Sequence, residues 1–355
     1  MVEIDDKLED WNALASAHKW HSLLVGNGAS INIWPDFGYA SLYSNAKPSL
    51  KPEQRAVFEE LSTTNFETIL EAAHHAEVVG RALGDRTEKI SELSQQVKAA
   101  LFGSVEKSHL PWGALDDLKC TAIAKILDSY DMVFTTNYDL CMYWAHMGAS
   151  GGEQLNLIDF FWGDGNTFPS GTTLSDARGR TPILYLHGAL HLWRDQWGQI
   201  GKFKYAPGKN LLDLDKNFSA DSQREPLFIS EGTYVAKFRS IWKSPYLRFC
   251  IETMAADQGN VVVFGHSLSK QDEHIASALT NGSRKRIAVS LRSDQESGLI
   301  LKKKAYFLDL LEGHCVHFFD ATSHPLGAPS LKVSKEHWHG AMAWAHKQQP
   351  GGTSA

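Results

Sequence analysis

The chain has 355 residues, of which 43% are hydrophobic and 21% are charged, and its formal net charge is −6. This composition is typical of a globular protein with a substantial core, and the length allows two domains or one large elaborated domain. The composition has no basic bias of the kind that indicates nucleic-acid binding. Because every apolar run is far shorter than the ~20 residues of a membrane span and the acidic start does not resemble a signal peptide, we expect a cytoplasmic protein without membrane contact.

The first half of the chain predicts helices around a single strand. In chain order we expect a helix over 6–20, a buried strand over 21–25, a loop over 34–52, helices from 53 to about 100, and a helix over 115–127. Residues 103–113 are expected to break the helical pattern. Thr64 and Glu67 fit a capping box at one helix start. The stretch 53–127 is therefore predicted to be a helical insertion after the first strand.

In the second half, short apolar strands alternate with helices. The predicted strands are 132–135, 183–186, 261–264, 284–291 and 314–319, with helices over 233–257, from about 271 and over 302–311, and irregular segments over 150–180 and 200–225. This alternation predicts an α/β fold, with a Rossmann-like parallel sheet flanked by helices. We expect a single domain over residues 1–340 and a disordered tail over 348–355.

Cysteine usage argues against disulfides and against a structural zinc. The four cysteines are scattered, and the sequence contains no C-x-x-C pair. The run His314-Cys315-His317 offers soft ligands, but His314 and Cys315 would face opposite sides of a strand. We therefore expect no metal site.

Polar side chains follow four of the predicted strands where each strand ends. They are Asn27 and Ser30 after the first strand, Asn137 and Asp139 after the second, His187 after the third, and Ser267 and Asp272 after the fourth. In parallel sheets, ligands bind beyond the carboxyl ends of the strands, near the point where strand order reverses. The convergence of four strand ends therefore predicts a functional site at this edge.

The stretch Gly26-Asn27-Gly28-Ala29-Ser30 suits two interpretations equally. Its glycines would let the backbone approach a pyrophosphate, or they would form a plain turn. The third glycine of a dinucleotide fingerprint is absent, and we expect no helix long enough before Pro35 for a regular βαβ start.

Two further stretches carry candidate catalytic groups. Asn137 can hold a ribose hydroxyl or a water with its donor and acceptor, beside the Asp139 carboxylate. An Asx turn and a helix cap would also explain both residues, and the motif alone favours that explanation. His187 precedes a glycine at a strand end and suits a general base, or it is a satisfied turn histidine. His191 is the rival base if its segment is helical.

The fourth strand end carries Gly265-His266-Ser267-Leu268, followed by Asp272 and His274. Its hydroxyl and carboxylate groups could contact an adenosine ribose or phosphate. The alternative is a loop in which Ser269 caps the helix that carries Asp272 and His274.

Together, four motifs resemble the sirtuin pattern in sequence and in order. Over roughly residues 20–275 the chain carries, in order, the motifs G-N-G-A-S, T-T-N-Y-D, L-H-G and G-H-S-L. The corresponding sirtuin motifs, in the same order, are G-A-G-x-S, T-Q-N-x-D, H-G and G-T-S-L. The helical stretch lies where sirtuin-like proteins carry an insertion, and N-F-E-T-I-L together with the length resembles bacterial sirtuin-like proteins of anti-phage defence. Sirtuin deacylases have two zinc-holding C-x-x-C pairs, which this chain lacks, so the resemblance favours the zinc-less branch, whose members cleave NAD.

The resemblance implies a NAD hydrolase that splits the nicotinamide–ribose bond of its substrate. His187 would be the general base, Asn137 would orient the water or hydroxyl, and Asp139 would hold the nicotinamide amide or stabilise positive charge. NAD would be bound by Gly26, Asn27, Gly28, Ala29, Ser30, Thr136, Gly265, Ser267 and Asp272.

The resemblance further implies a NAD-depleting effector of anti-phage defence, controlled by homo-oligomerisation or by a defence-system partner protein. Two other functions remain open from the sequence. One is a sensor that binds NAD or ADP-ribose without turnover, and the other is an ADP-ribosyltransferase.

Overall fold

Two β-sheets organise the part of the chain that this computed structural model describes, namely residues 4–111, 113–148, 155–204, 211–212, 217–218, 223–229 and 232–334. The strands are β1 (Ser22–Val25), β2 (Met132–Thr135), β3 (Leu157–Ile158), β4 (Thr181–Tyr185), β5 (Gly188–Asp195), β6 (Ile200–Lys202), β7 (Arg224–Phe228), β8 (Val261–Phe264), β9 (Arg286–Leu291) and β10 (Cys315–Asp320). The predicted end of the domain at residue 340 and the predicted tail lie outside the described residues.

The larger sheet is parallel and has the order β10-β9-β8-β1-β2-β4-β3. All four residues of β1 and of β8 are buried, because helices cover both faces of a sheet of this kind. Strand order reverses between β1 and β8, since the chain runs from β1 to β2 on one side and returns to β8 on the other. The predicted Rossmann-like α/β fold is confirmed.

Twelve helices lie in the described residues. They are α1 (Trp11–Ala17), α2 (Asn27–Ile33), α3 (Tyr39–Ala46), α4 (Pro52–Glu60), α5 (Phe66–Leu83), α6 (Glu88–Ser108), α7 (Asp117–Asp128), α8 (Cys141–Gly148), α9 (Tyr234–Trp242), α10 (Pro245–Ala256), α11 (Glu273–Leu279) and α12 (Ser297–Leu310). The predicted helical insertion corresponds to α4–α7, between β1 and β2. Among the described residues, no helix has the length and apolar character needed to cross a membrane.

The loop predicted over 34–52 is wrong, because this stretch contains α3 and two 3-10 helices. Its prolines and glycine mark helix starts. Pro35, Pro48 and Pro52 each occupy a first or second helical position, and Gly38 is the N-cap of α3. At these positions the missing proline N–H has no intrahelical partner to lose.

Three helix boundaries also differ from the predictions. The break predicted over 103–113 is wrong at its start, because α6 continues to Ser108 with Val97, Leu101 and Val105 on its buried face. The capping box at Thr64 is wrong, since Asn65 caps α5 by accepting from the Glu67 N–H at 2.9 Å. A short helix, α2, also follows β1 directly, where none long enough for a βαβ start was expected.

The smaller sheet was not predicted. It is antiparallel, with the order β6-β5-β7, and β5 begins one residue after His187. Its first residue, Gly188, has φ +76°, and a Cβ there would lie 2.0 Å from the Leu227 carbonyl oxygen. A glycine is therefore required where the chain turns from the large sheet into the small one.

Candidate functional site

The predicted site residues lie along one edge of the large sheet. Val25, Thr135, Tyr185 and Phe264 share one row of the register across β1, β2, β4 and β8. Asn137 and His187 each follow two residues later, on neighbouring strands whose spacing is about 4.8 Å. The register therefore places these two residues just beyond the ends of adjacent strands, beside the point where strand order reverses.

The glycines after β1 allow two loops to pack backbone against backbone. A Cβ on Gly26 would lie 2.6 Å from the Gly265 carbonyl oxygen, and one on Gly28 would lie 2.6 Å from the Gly265 Cα. Gly265 itself has φ +67°. Because the Gly28 N–H already donates to the Gly265 carbonyl at 2.8 Å, this donor is occupied within the protein. The loop is thus more than a plain turn, and its glycines are required by loop packing whether or not a phosphate binds nearby.

Asn137 is buried and held in one orientation. Its amide nitrogen donates to the Gly26 carbonyl at 3.1 Å and to Ser30 Oγ at 2.8 Å. Its amide oxygen is buried and has no hydrogen-bond partner among the described residues. A buried acceptor without a partner costs about 1–3 kcal/mol, so this oxygen is a position where a bound hydroxyl or water would supply the missing donor.

Asp139 supports Asn137 through Ser30. The Ser30 hydroxyl donates to Asp139 Oδ2 at 2.5 Å, which leaves its oxygen lone pairs to accept from Asn137. Asp139 Oδ1 accepts the Cys141 N–H at 2.8 Å at the start of α8. This bond to the N–H two residues on is the Asx turn expected as an alternative for Asp139, and the same carboxylate also orients the candidate catalytic amide.

His187 is 2% exposed and lies in a cluster of histidines. Its Nε2 is 2.8 Å from His274 Nε2 and 3.8 Å from Asp272 Oδ1. His266 belongs to the same cluster, with Nε2 3.8 Å from Asp272 Oδ2. His266 Nδ1 accepts the Leu268 N–H at 2.9 Å, which assigns the proton of the neutral ring to Nε2.

A buried lysine links this cluster to the helical insertion. Lys237, on α9, has a side chain that is 0% exposed, and its Nζ donates to Asp272 Oδ1 at 2.8 Å and to Glu67 Oε1 at 2.9 Å. Glu67 lies in the first turn of α5. One cation thus faces two carboxylates, so the Lys237–Glu67–Asp272 triplet carries a net charge of −1 at neutral pH.

The electrostatics keep the histidines neutral. Burial lowers the pKa of His187 well below its ordinary value, and Lys237 lowers it further, against the opposing effect of Asp272. Burial also lowers the pKa of His274, to about 4. For Asp272, burial alone would raise the pKa, but the Lys237 ammonium outweighs burial and holds it well below its usual range. An unprotonated His187 has the lone pair that a general base requires.

His191 lies away from this cluster. It belongs to β5, not to a helix, is 0% exposed, and stacks on Tyr143 with ring centroids 4.2 Å apart. Burial lowers its pKa to about 3, and neither ring nitrogen has a hydrogen-bond partner among the described residues. His191 thus packs among aromatic rings on β5, whereas His187 lies at the strand end with Asp272 and His274, and this placement favours His187 as the base.

The remaining predicted contacts differ in accessibility. Ser267 is exposed, Thr136 and Asn27 are half-buried, and Ala29 is fully buried. The Asn27 side chain donates to the Phe37 carbonyl at 3.2 Å, so this amide is engaged within the fold. Ser269 does not cap the following helix with its side chain.

Sequence reasoning missed Lys237 and Glu67. Lys237 lies four residues before the buried Ile241 on α9, so a lysine at a core position of an amphipathic helix was an available signal. Glu67 was assigned to a capping box, although its side chain reaches Lys237 instead. His187, Asp272 and His274 also bring three potential metal-ligand atoms within 4.8 Å of one another, a set that the expectation of no metal overlooked.

Residues 23–326 match the family described as Domain of unknown function (DUF4917). The chain belongs to this family. The DUF4917 match begins in β1 and extends beyond β10, so it includes the large sheet and all the site residues discussed above. Among curated proteins, no match was found.

Proposed function

We propose that this DUF4917 protein hydrolyses the nicotinamide–ribose bond of NAD to give nicotinamide and ADP-ribose. One observation carries the proposal: a buried asparagine with an unpartnered amide oxygen and an unprotonated histidine follow adjacent strands at the edge where strand order reverses. NAD is proposed as the substrate because the order of the motifs resembles the zinc-less sirtuin-like pattern.

The reaction needs a water molecule, a base and stabilisation of positive charge. Water adds to the ribose carbon as the carbon–nitrogen bond breaks, nicotinamide leaves as a neutral molecule, and the water's proton passes to His187. The leaving group is already a cation in NAD, so no acid is required. The Asn137 amide oxygen accepts a hydrogen bond from the water or from a ribose hydroxyl and so orients it.

Two groups of the site act on the reaction without contacting the reacting atoms. Asp139 and Ser30 keep the Asn137 amide oxygen directed outward, because both hydrogens of the amide nitrogen are engaged by Ser30 and Gly26. The triplet of Lys237, Glu67 and Asp272 has a net charge of −1, which favours the cationic, oxocarbenium-like transition state.

The test is incubation of the purified chain with NAD, followed by chromatographic separation of the products. We expect nicotinamide and ADP-ribose in equal amounts, and losses of about 10²–10⁴-fold in rate for His187→Ala. Asn137→Ala should also lose most of the rate. The exposed His75→Ala is the matched control and should retain the rate. Near-full cleavage by His187→Ala would refute the assignment of the base.

The same assay separates the alternatives. Intact NAD that co-purifies with the protein would indicate a sensor, and label that appears on a macromolecule would indicate an ADP-ribosyltransferase. We further propose a cytoplasmic, NAD-depleting role in anti-phage defence, with activity controlled by homo-oligomerisation or a partner protein. This part rests on the sirtuin-like resemblance, and a fully active monomer that is harmless in cells would contradict it.

A further inference from the structure

His187, His274 and Asp272 converge as a set of metal-ligand atoms from two parts of the chain. His187 follows β4, whereas Asp272 ends the 3-10 helix Lys270–Asp272 and His274 lies in α11. One ligand atom from each residue lies within 4.8 Å of the others, and all three residues are buried. Two imidazoles and one carboxylate form a donor set that suits zinc and related divalent transition metals.

Both imidazoles are available as ligands. Metal binding needs the neutral ring, and His187 and His274 are both buried, at 2% and 4% exposure. Their Nε2 atoms face each other at 2.8 Å, so without a metal one proton lies between them. His274 Nδ1 has no partner among the described residues. No described contact therefore prevents His274 from carrying its proton on Nδ1 and directing the Nε2 lone pair toward a cation.

The ligand set contains one anion, Asp272, although Lys237 also pairs with it. Lys237 is matched by Glu67, and Asp272 then leaves one buried negative charge that the neutral histidines do not compensate. A carboxylate oxygen has two lone pairs, so Asp272 Oδ1 can accept from Lys237 and also bind a metal. His266 is not part of the ligand set, because its Nδ1 accepts a backbone N–H and its Nε2 carries the proton.

The distances require the three side chains to adjust around a metal ion. With metal–ligand bonds of about 2.1 Å, the 2.8 Å separation of the two Nε2 atoms corresponds to an angle of about 84° at the metal. The 3.8 Å separation of His187 Nε2 and Asp272 Oδ1 corresponds to about 130°. These angles lie on either side of the tetrahedral value. The third pair, His274 and Asp272, lies within 4.8 Å and must close to about 3.4 Å, so binding requires side-chain shifts of up to about an ångström.

We propose that His187, His274 and Asp272 form a binding site for a divalent transition-metal ion of the zinc class, with one coordination position open. Metal bound there occupies His187 Nε2, the atom that would accept the proton in NAD hydrolysis, so the metal acts as a reversible inhibitor. The binding site stands without the proposed function, whereas the inhibition rests on it.

The first test measures metal binding without NAD. The full chain is freed of metal with a chelator, and Zn²⁺ binding is followed by calorimetry. Cys315 Sγ and His317 Nε2 lie 3.6 Å apart and offer a competing site. The parent chain of this test and all its variants therefore carry Cys315→Ser and His317→Gln. We expect His274→Ala and His187→Ala each to lose one tight equivalent of Zn²⁺. Exposed His75→Ala should bind as the parent does, and thermal unfolding verifies that each variant is folded.

An equal number and affinity of bound Zn²⁺ in the parent and in folded His274→Ala would overturn the site. The second test adds NAD to the metal-free parent and titrates Zn²⁺. We expect the rate of NAD cleavage to fall as Zn²⁺ is added. The Zn²⁺ concentration at half inhibition should match the dissociation constant of the tightly bound Zn²⁺, and the rate should recover when chelator is added. Unchanged cleavage with the tight equivalent bound would overturn the inhibition. Absence of cleavage in the metal-free parent would refute the proposed hydrolase, while the binding site would still be decided by the first test.

Discussion

Lys237→Met removes the cation that holds two buried carboxylates together. The Lys237 side chain is 0% exposed, and those of Glu67 and Asp272 are 14% and 13% exposed. Methionine fills a similar volume without the charge, so Glu67 and Asp272 would both lose the cation that lies between them. Removal of one partner from a buried ion pair costs about 3–5 kcal/mol.

This cost converts to a measurable change in melting temperature. The unfolding entropy of globular proteins is about 2.1 cal/mol/K per residue, which for the 355 residues of this chain gives about 0.75 kcal/mol/K. A loss of about 3–5 kcal/mol therefore lowers the melting temperature by about 4–7 °C. Scanning calorimetry measures the shift, and urea unfolding gives an independent value.

Two further variants make the measurement specific to the triplet. Adding Glu67→Gln to Lys237→Met removes one of the two carboxylates that have lost the lysine, so the double variant should recover part of the lost stability. Lys19→Met is the exposed control, because Lys19 pairs with Asp131 at 3.7 Å with both side chains more than half exposed. It should move the melting temperature by no more than about 1 °C.

The reasoning would be refuted if Lys237→Met melted within about 1 °C of the parent chain, as the exposed control should. It would also be refuted if the double variant were less stable than Lys237→Met, because repulsion between the two carboxylates could then not be the cause.

Four more predictions concern the residues His191, Gly28, Gly103 and His324. His191→Phe should keep NAD cleavage and should not lower the urea midpoint, since it keeps the aromatic stack and removes two ring nitrogens without partners; a large loss of cleavage would restore His191 as the base. Gly28→Ala should destabilise by about 1–3 kcal/mol, because its Cβ would meet the Gly265 backbone at 2.6 Å. In contrast, Gly103→Ala, a helical glycine with open space around it, should stabilise by about 0.5–1 kcal/mol in the same urea experiment. Burial lowers the pKa of His324 to about 3, below the ordinary value of about 6.5. Its neutral form therefore stabilises the fold above pH 6.5, and this contribution, at most about 5 kcal/mol, is lost as the pH falls toward 3. His324→Gln should show a smaller decrease in unfolding free energy between pH 7 and pH 4 than the parent chain, and an equal decrease would contradict the assignment.

The large sheet could be predicted because its strands carry their own signal. β1 and β8 are continuous apolar runs bounded by polar residues or glycine, which is the pattern of strands buried on both faces. The stretch 34–52 could not be predicted in the same way. Proline and glycine there were taken as loop formers, but they occupy the first positions of short helices, where the same backbone restrictions favour a helix start.

The candidate site was predictable to the extent that it follows strand ends. Asn137, Asp139 and His187 could be placed at one edge because register and strand direction bring successive strand ends together. Lys237 and Glu67 could not, since each lies in a helix far along the chain from the strand ends and their contact depends on tertiary packing. No periodicity or fixed spacing in the sequence indicates that two distant charged residues will pair in the fold.

The structure also changes how two of the predicted residues would act. Each carboxylate oxygen of Asp139 already accepts a hydrogen bond, one from the Cys141 N–H and one from Ser30. Direct contact with nicotinamide would have to share these oxygens, whereas orientation of Asn137 through Ser30 uses them as they are. Gly26 contributes to the same arrangement, because its carbonyl accepts the second Asn137 N–H while its missing side chain allows the β8 loop to approach. The glycine loop therefore helps to position the candidate catalytic amide, and this role is independent of any contact it makes with phosphate.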